Sequence, residues 1–232
     1  MKTIGIIGGI GPQATMYFEE KIHEISQKLI PQNANSGYPP LFVYYMRQPP
    51  ILLDEKGEPA LPLQPSPELL DIAQLLGSRS DVVVMVCNTP HFFYDQVKDT
   101  AKKEVISIVD VTLQEIKKRH LKNVGVLAIG GTLRNKLYQN ALDAEHIPWI
   151  TIPEELADKL DESIFGVMEG RIEPQLVAHA KAAITYLREK GADGIILGCT
   201  EIPFLLQDVL ADADLLNPVE LLAEATVQFI LR

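Results

Sequence analysis

Cysteine occurs only twice in the 232 residues, and both times in the same setting. The apolar run VVVMVC ends on Cys87 and is followed by Asn88, Thr89, Pro90 and His91. The run GIILGC ends on Cys199 and is followed by Thr200, Glu201, Ile202 and Pro203. A single cysteine in a core strand is ordinarily an inert small hydrophobe. Where a strand gives way to a helix the case differs, because the helix N-terminus lowers the thiol pKa from about 8.5 and makes the reactive thiolate accessible near neutrality. Two cysteines at matching strand ends are harder to assign to packing than one.

The neighbouring residues add polar groups at the same kind of junction. In open parallel sheets ligands bind where strands end and helices begin. Four such junctions stand out. In GGIGPQAT, Pro12 suits the first helical position, where a missing N–H costs nothing. Thr89 is the expected N-cap in CNTPHF, Thr132 in IGGTLRN and Thr200 in GCTEIP, with Glu201 in the first turn that follows. Converging helix starts offer unshared N–H groups to a carboxylate or phosphate. Arg47, at the tip of an expected strand, is the best-placed cation for an anionic ligand, with an ordinary surface arginine as the alternative. His91 either orients a thiolate or lies on a helix face.

Other chemistries find less support. Gly9-Ile10-Gly11-Pro12-Gln13-Ala14 has the form of a dinucleotide fingerprint, but no acidic residue stands at the tip of the second strand to hold a ribose. Tight turn packing accounts for Gly9 and Gly11 instead. The remaining histidines have no metal-ligand spacing, and no serine lies on a nucleophile elbow.

The elements that must position these groups alternate. Strands are expected at 3–8, 40–45, 81–87, 105–110, 123–129, 149–153, 193–199 and 214–218. Helices are expected at 14–29, 67–79, 91–104, 112–120, 134–146, 156–170, 175–191 and 219–232. Most strands are apolar on both faces, as parallel strands covered by helices on each side should be. The expectation is an α/β fold. The pattern also occurs twice: IGIIGGIG is echoed by VGVLAIGG, VVVMVCNTP by GIILGCTEIP, and VISIVD by ADLLNP. Gly125 follows Gly5 by 120 residues and Cys199 follows Cys87 by 112, so two similar halves are expected, 1–104 with 212–232 and 105–211. The proline-rich stretch from Arg47 to Pro67 breaks the rhythm and is expected to be a long loop that packs as a cover.

Composition bounds the partners. Apolar residues make up 47% of the chain and charged residues 22%, an ordinary globular balance. A net charge of −10 with no basic cluster argues against nucleic acid. Two cysteines make no disulfide framework, which points to a reducing cytoplasm. The N-terminus lacks the pattern of a signal peptide, and no stretch reaches the ~18 apolar residues that would cross a membrane.

Taken together, GGIGPQAT, CNTPH and GCTEIP, with GGT at 130–132 and NPVELLAEA at 217–225, closely resemble the aspartate/glutamate racemase family, particularly its aspartate-racemase-like branch. The resemblance implies two α/β halves related by a pseudo-two-fold axis, with the site in the cleft between them. It implies cofactor-independent racemisation by two cysteines, mapped here to Cys87 and Cys199, one on each face of the bound amino acid. The thiolate of one removes the α-proton, and the thiol of the other returns a proton to the opposite face. It further implies that Asn88, Thr89, Thr132 and Thr200 hold the α-carboxylate, that Arg47 recognises a side-chain carboxylate, and that His91 and Glu201 lie near the thiols and influence their protonation. A homodimer is expected by the same analogy. The chain departs from the family pattern at Pro90, where relatives commonly have alanine, and near Gly170, where aspartate-active relatives often carry a lysine. Aspartate is the first expectation for substrate. Glutamate, a broader range of amino acids, and a related superfamily isomerase remain alternatives, as does a catalytically silent amino-acid sensor on the same scaffold.

Overall fold

The computed structural model describes residues 1–34 and 36–232. In chain order the elements are β1 (Ile4–Gly8), α1 (Pro12–Leu29), β2 (Leu41–Tyr45), α2 (Pro67–Gly77), β3 (Val82–Met85), a 3₁₀ helix (Thr89–Phe93), α3 (Tyr94–Ala101), β4 (Glu104–Ile106) and α4 (Ile108–Lys118). There follow β5 (Val124–Leu127), α5 (Gly130–Arg134), α6 (Leu137–Ala144), β6 (Trp149–Thr151), α7 (Glu154–Met168), α8 (Pro174–Glu189), β7 (Gly194–Leu197), α9 (Ile202–Leu205), β8 (Leu215–Leu216) and α10 (Pro218–Ile230).

The strands form two four-stranded sheets, ordered β2-β1-β3-β4 and β6-β5-β7-β8. Every pairing is parallel. The inner strands β1, β3, β5 and β7 are buried at every residue, whereas the edge strands β2 and β6 are only partly covered. This explains their composition, since an inner parallel strand has helices on both faces and tolerates no polar alternation. The fold is thus α/β, with the same strand order in both sheets. No helix among the described residues is long and apolar enough to cross a membrane.

The chain divides into two compact units, Met1–Ile108 with Val219–Arg232, and Val109–Pro218. The divisions expected after residues 104 and 211 move because β4 pairs with β3 and completes the first sheet, while β8 pairs with β7 and completes the second. Both crossings therefore fall at the first residue of a helix that follows an edge strand, Ile108 of α4 and Pro218 of α10.

Each unit has its own core. In the first, Ile7, Met46, Leu69, Ile72, Val83, Met85, Phe93, Val97 and Val105 pack together; in the second, Leu127, Leu160, Ile164, Leu176, Leu187, Ile195 and Leu197 do so. Each such side chain contributes about 1.5–3 kcal/mol by leaving water. Close backbone approach also matters. Gly77 lies where a Cβ would come 2.0 Å from the Ala101 carbonyl oxygen, so α2 meets the end of α3 only because this position has no side chain.

Several elements differ from their expected bounds. The helix expected from His91 is split, because Phe93 (φ −117°, ψ 24°) leaves helical geometry between the 3₁₀ turn and α3. Strand 105–110 ends at Ile106, and α4 begins at Ile108 rather than Thr112. The 134–146 helix is broken at Lys136, which takes a left-handed φ of 56° between α5 and α6. The Arg47–Pro67 stretch is an ordered loop, with antiparallel bridges between Ile51 and Pro65 and between Leu53 and Pro59. The Asp54 carboxylate closes its tip by accepting the Lys56 and Glu58 N–H groups at 2.8 and 3.0 Å. Ile51 and Leu63 pack on the first core, as a covering loop with apolar residues should.

Candidate active site

The register places the two cysteines at equivalent points. In the first sheet Gly5 of β1 pairs with Val83 of β3, and Cys87 lies four residues further on. In the second sheet Gly125 of β5 pairs with Ile195 of β7, and Cys199 again lies four residues further on. Each thiol thus stands beyond the C-terminal end of an inner strand, where a parallel α/β sheet presents its ligand-binding edge. Neither forms a disulfide.

Cys87 is half-buried on the turn into the 3₁₀ helix, with Asn88 buried beside it and Thr89 partly exposed. Thr89 is the first residue of that helix and not its cap: the cap position is Asn88, and no side chain caps it. His91 is 6% exposed and engages backbone at both ring nitrogens. Its Nε2 accepts the Ile108 N–H at 3.0 Å, so Nδ1 carries the proton and donates to the Cys87 carbonyl at 2.9 Å. Burial pushes its pKa from 6.5 down to about 4, against the opposing pull of the Cys87 and Asn88 carbonyls. His91 is therefore a neutral clip between the Cys87 backbone and the first residue of α4.

Cys199 is addressed at its sulfur. Its Sγ donates to Glu201 Oε2 at 3.0 Å, and Thr200 Oγ1 donates to the same oxygen at 3.1 Å. Thr200 does not cap; the cap position of α9 is Glu201 itself, with no side-chain bond to the helix. Glu201 is 2% exposed, and burial raises its carboxyl pKa against the hydrogen bonds from Cys199 and Thr200, which lower it. The Cys199 thiol and the Thr200 hydroxyl thus share one buried carboxylate oxygen.

The other turns are built differently from one another. Gly9, at φ +80°, passes so close to β2 that a Cβ would lie 2.6 Å from the Tyr45 Cα, and its N–H donates to Thr15 Oγ1 at 2.8 Å. Gly11 is the N-cap of α1 and Pro12 its first residue, as the sequence suggests. Met46 is buried and Arg47 exposed just past β2; among the described residues Arg47 makes no ion pair. At the start of α5 the cap position is Ile129, and Thr132 lies buried inside the short helix. There Asp161 of α7 receives the Gly130 N–H at 2.9 and 3.1 Å through its two oxygens. Burial raises the Asp161 pKa, while the Gly130 amide and Arg134 pull it down. The free N–H groups expected at this turn are thus partly taken by the protein's own carboxylate. Asp161 had no sequence signal, since it sits in an ordinary charged helical segment.

With this geometry in view, comparison with known proteins is decisive for the family. Residues 7–226 match the family model for Asp/Glu/hydantoin racemases. The chain belongs to this family. The broad-specificity amino-acid racemase RacX of Bacillus subtilis (strain 168) is 26% identical over 97% of this racemase and 96% of its own length. Two solved structures share the fold. An aspartate racemase homologue from Pyrococcus horikoshii OT3 matches with a TM-score of 0.78 and 24% identity, each chain covered in full. The Picrophilus torridus aspartate racemase matches with a TM-score of 0.79 and 23% identity, covering 99% of this chain and 94% of that one. Family membership places this racemase among the isomerases that act on amino acids.

Proposed function

We propose that this racemase interconverts L- and D-amino acids without a cofactor, by two-base proton transfer between Cys87 and Cys199. The single observation that carries the reading is the identical register of the two thiols, each four residues beyond the strand residue that pairs with a glycine of the first strand in its sheet. Racemisation needs a base on one face of the α-carbon and an acid on the other, and two units of the same topology supply one thiol apiece. Glu201 favours S–H on Cys199, so that Cys199 is the natural acid and Cys87 the natural base in one direction. In the other direction they exchange roles. The carbanion that forms is stabilised by donors fixed around the α-carboxylate, and Asn88, Thr89, Thr132 and Thr200 are the residues proposed for that task.

Aspartate is the first substrate in this reading, with Arg47 taking the distal carboxylate. A specific observation favours a broader range as the second reading. Near Gly170 the available cation, Arg171, is committed to Glu169 at 2.6 Å and Glu173 at 3.4 Å. That segment offers no spare positive charge to a second carboxylate, and the similarity to RacX points the same way. The proposal includes a cytoplasmic homodimer, checked by light scattering of the purified protein and by fractionation of cells.

The test is chiral chromatography of a panel of L-amino acids incubated with purified protein and no added cofactor. Cys87→Ser and Cys199→Ser should each lower kcat by about 10²-fold or more in both directions, because serine is a far weaker acid in the same space. In deuterated water the product enantiomer should carry solvent deuterium from the first turnovers, ahead of the recovered substrate. Near-normal racemisation by either serine variant would make one cysteine a bystander and refute the mechanism. A folded protein that binds amino acids without inverting them would instead be a sensor.

A further inference from the structure

The two half-sites share a register but not their supports. On the first, His91 joins the Cys87 carbonyl (2.9 Å) to the N–H of Ile108 (3.0 Å), and Ile108 is the last residue of its unit before the chain crosses to the other. One helical turn on, Tyr94 lies nearly parallel to the His91 ring, with centroids 6.4 Å apart, and donates its hydroxyl to the Val105 carbonyl at 2.8 Å. Both side chains thus reach from the turn after Cys87 to the backbone of β4 and the start of α4. On the second half-site neither end of this link can exist. The residue four beyond Cys199 is Pro203, with no side-chain hydrogen-bonding group, and the residue two beyond the last strand is Pro218, with no N–H.

We propose that His91, backed by Tyr94, is a positioning residue that ties Cys87 to the chain crossing at Ile108. The tie is specific to one thiol. A displacement of residue 108 is carried through one rigid imidazole to the carbonyl of Cys87, whereas Pro203 and Pro218, at the matching positions of the second unit, cannot form an imidazole link of this kind. Both bonds of the imidazole are to backbone atoms, so its effect on the reaction is to place Cys87. This inference rests on the proposal that Cys87 exchanges a proton with substrate, but the staple itself can be tested apart from that.

The experiment uses three variants of the full chain. His91→Asn keeps a donor near the position of Nδ1 and removes the acceptor for Ile108. His91→Gln keeps an acceptor near the position of Nε2 and removes the donor to Cys87. Tyr94→Phe removes the hydroxyl that donates to Val105 and leaves the ring in place. For each, kcat and KM are measured separately, and the alkylation rates of Cys87 and Cys199 by iodoacetamide are followed site by site by mass spectrometry. Loss of either end of the imidazole link should lower kcat about five- to thirtyfold with KM within about twofold, since a misplaced reacting group costs rate more than binding. Cys87 should alkylate at least about threefold faster as its turn loosens, with Cys199 unchanged, and Tyr94→Phe should move both readouts by about twofold in the same direction. A purely structural histidine would lower the melting midpoint while leaving kcat per folded molecule and Cys87 alkylation at wild-type values, and that result overturns the proposal. If Cys87→Ser retained racemisation, the two-cysteine mechanism would fail, and the alkylation comparison would still decide whether the staple holds Cys87.

Discussion

A buried neutral histidine next to the Cys87 backbone makes acid stability a measurable property of one residue. In the folded protein the His91 pKa is held near 4 by burial, whereas in the unfolded chain it returns to 6.5. Between these values the unfolded chain binds the extra proton and the folded one does not. The contribution is therefore fully present above pH 6.5 and is lost as pH falls through about 4. The shift from 6.5 to about 4, at about 1.4 kcal/mol per unit, is worth about 3 kcal/mol in full and about 2 kcal/mol by pH 5. Other titrating groups contribute over the same range, so the assay is a comparison: urea unfolding of wild type and His91→Asn from pH 7 to pH 4. At pH 7 the variant should be less stable by about 1–2 kcal/mol, because it loses the acceptor for the buried Ile108 N–H. It carries no proton-binding imidazole, however, so its stability should fall less steeply on acidification. The two curves should cross between about pH 5 and 6, where the linkage loss equals the lost hydrogen bond. Parallel curves would refute the reasoning, since they would mean that His91 is charged, or solvated, in the folded protein.

Three further outcomes are expected. Glu201→Gln keeps the volume beside Cys199 but removes the group that takes its S–H; kcat should fall about 10²-fold with little change in KM, and wild-type kcat would exclude the carboxylate from proton transfer. Arg47→Ala should raise KM for aspartate by about tenfold or more and leave KM for alanine unchanged, with stability within about 0.5 kcal/mol of wild type because the side chain is exposed and without an ion pair among the described residues. Equal effects on both substrates would remove Arg47 from side-chain recognition. Gly9→Ala should cost about 2–4 kcal/mol in urea unfolding, because it forces an alanine to φ +80° and a Cβ to 2.6 Å from the Tyr45 backbone; a loss below about 0.5 kcal/mol would show that the turn relaxes freely.

What the sequence disclosed and what it hid divide along physical lines. The inner strands were legible because burial on both faces leaves a continuous apolar run, as in VVVM and GIIL. The repeat was legible for the same reason, and the equal strand orders give it a topological meaning. Helix starts after β4 and β5 were misjudged because they depend on tertiary contacts. The first amide of α4 is taken by His91 and that of α5 by Asp161, partners 17 and 31 residues away, and no local pattern announces either. The threonine caps failed for a related reason. Ser66 caps α2 through a bond to the Leu69 N–H at 3.3 Å, as its position before Pro67 suggests, but Thr89, Thr132 and Thr200 stand at short turns with no side-chain cap. Thr200 turns its hydroxyl to a carboxylate instead, which a propensity for capping cannot foresee.

The contrast between the half-sites has a thermodynamic boundary. Enantiomers have equal free energy, so the equilibrium constant of a racemisation is one, and kcat/KM must be equal in the two directions whatever the protein does. Glu201 holds one sulfur by a hydrogen bond, while His91 holds the other cysteine by its backbone. Such unequal supports cannot favour one enantiomer at equilibrium. On the proposed mechanism they can only decide which thiol keeps its proton in the resting protein, and hence which enantiomer binds the resting form without a prior proton exchange. The individual kcat and KM values then differ between directions while their ratio does not. A protein built from two units of the same topology therefore has no thermodynamic reason to keep its half-sites alike. On the proposed two-thiol mechanism each thiol needs only to be held where it can exchange a proton, and the two units would meet that need with different chemistry.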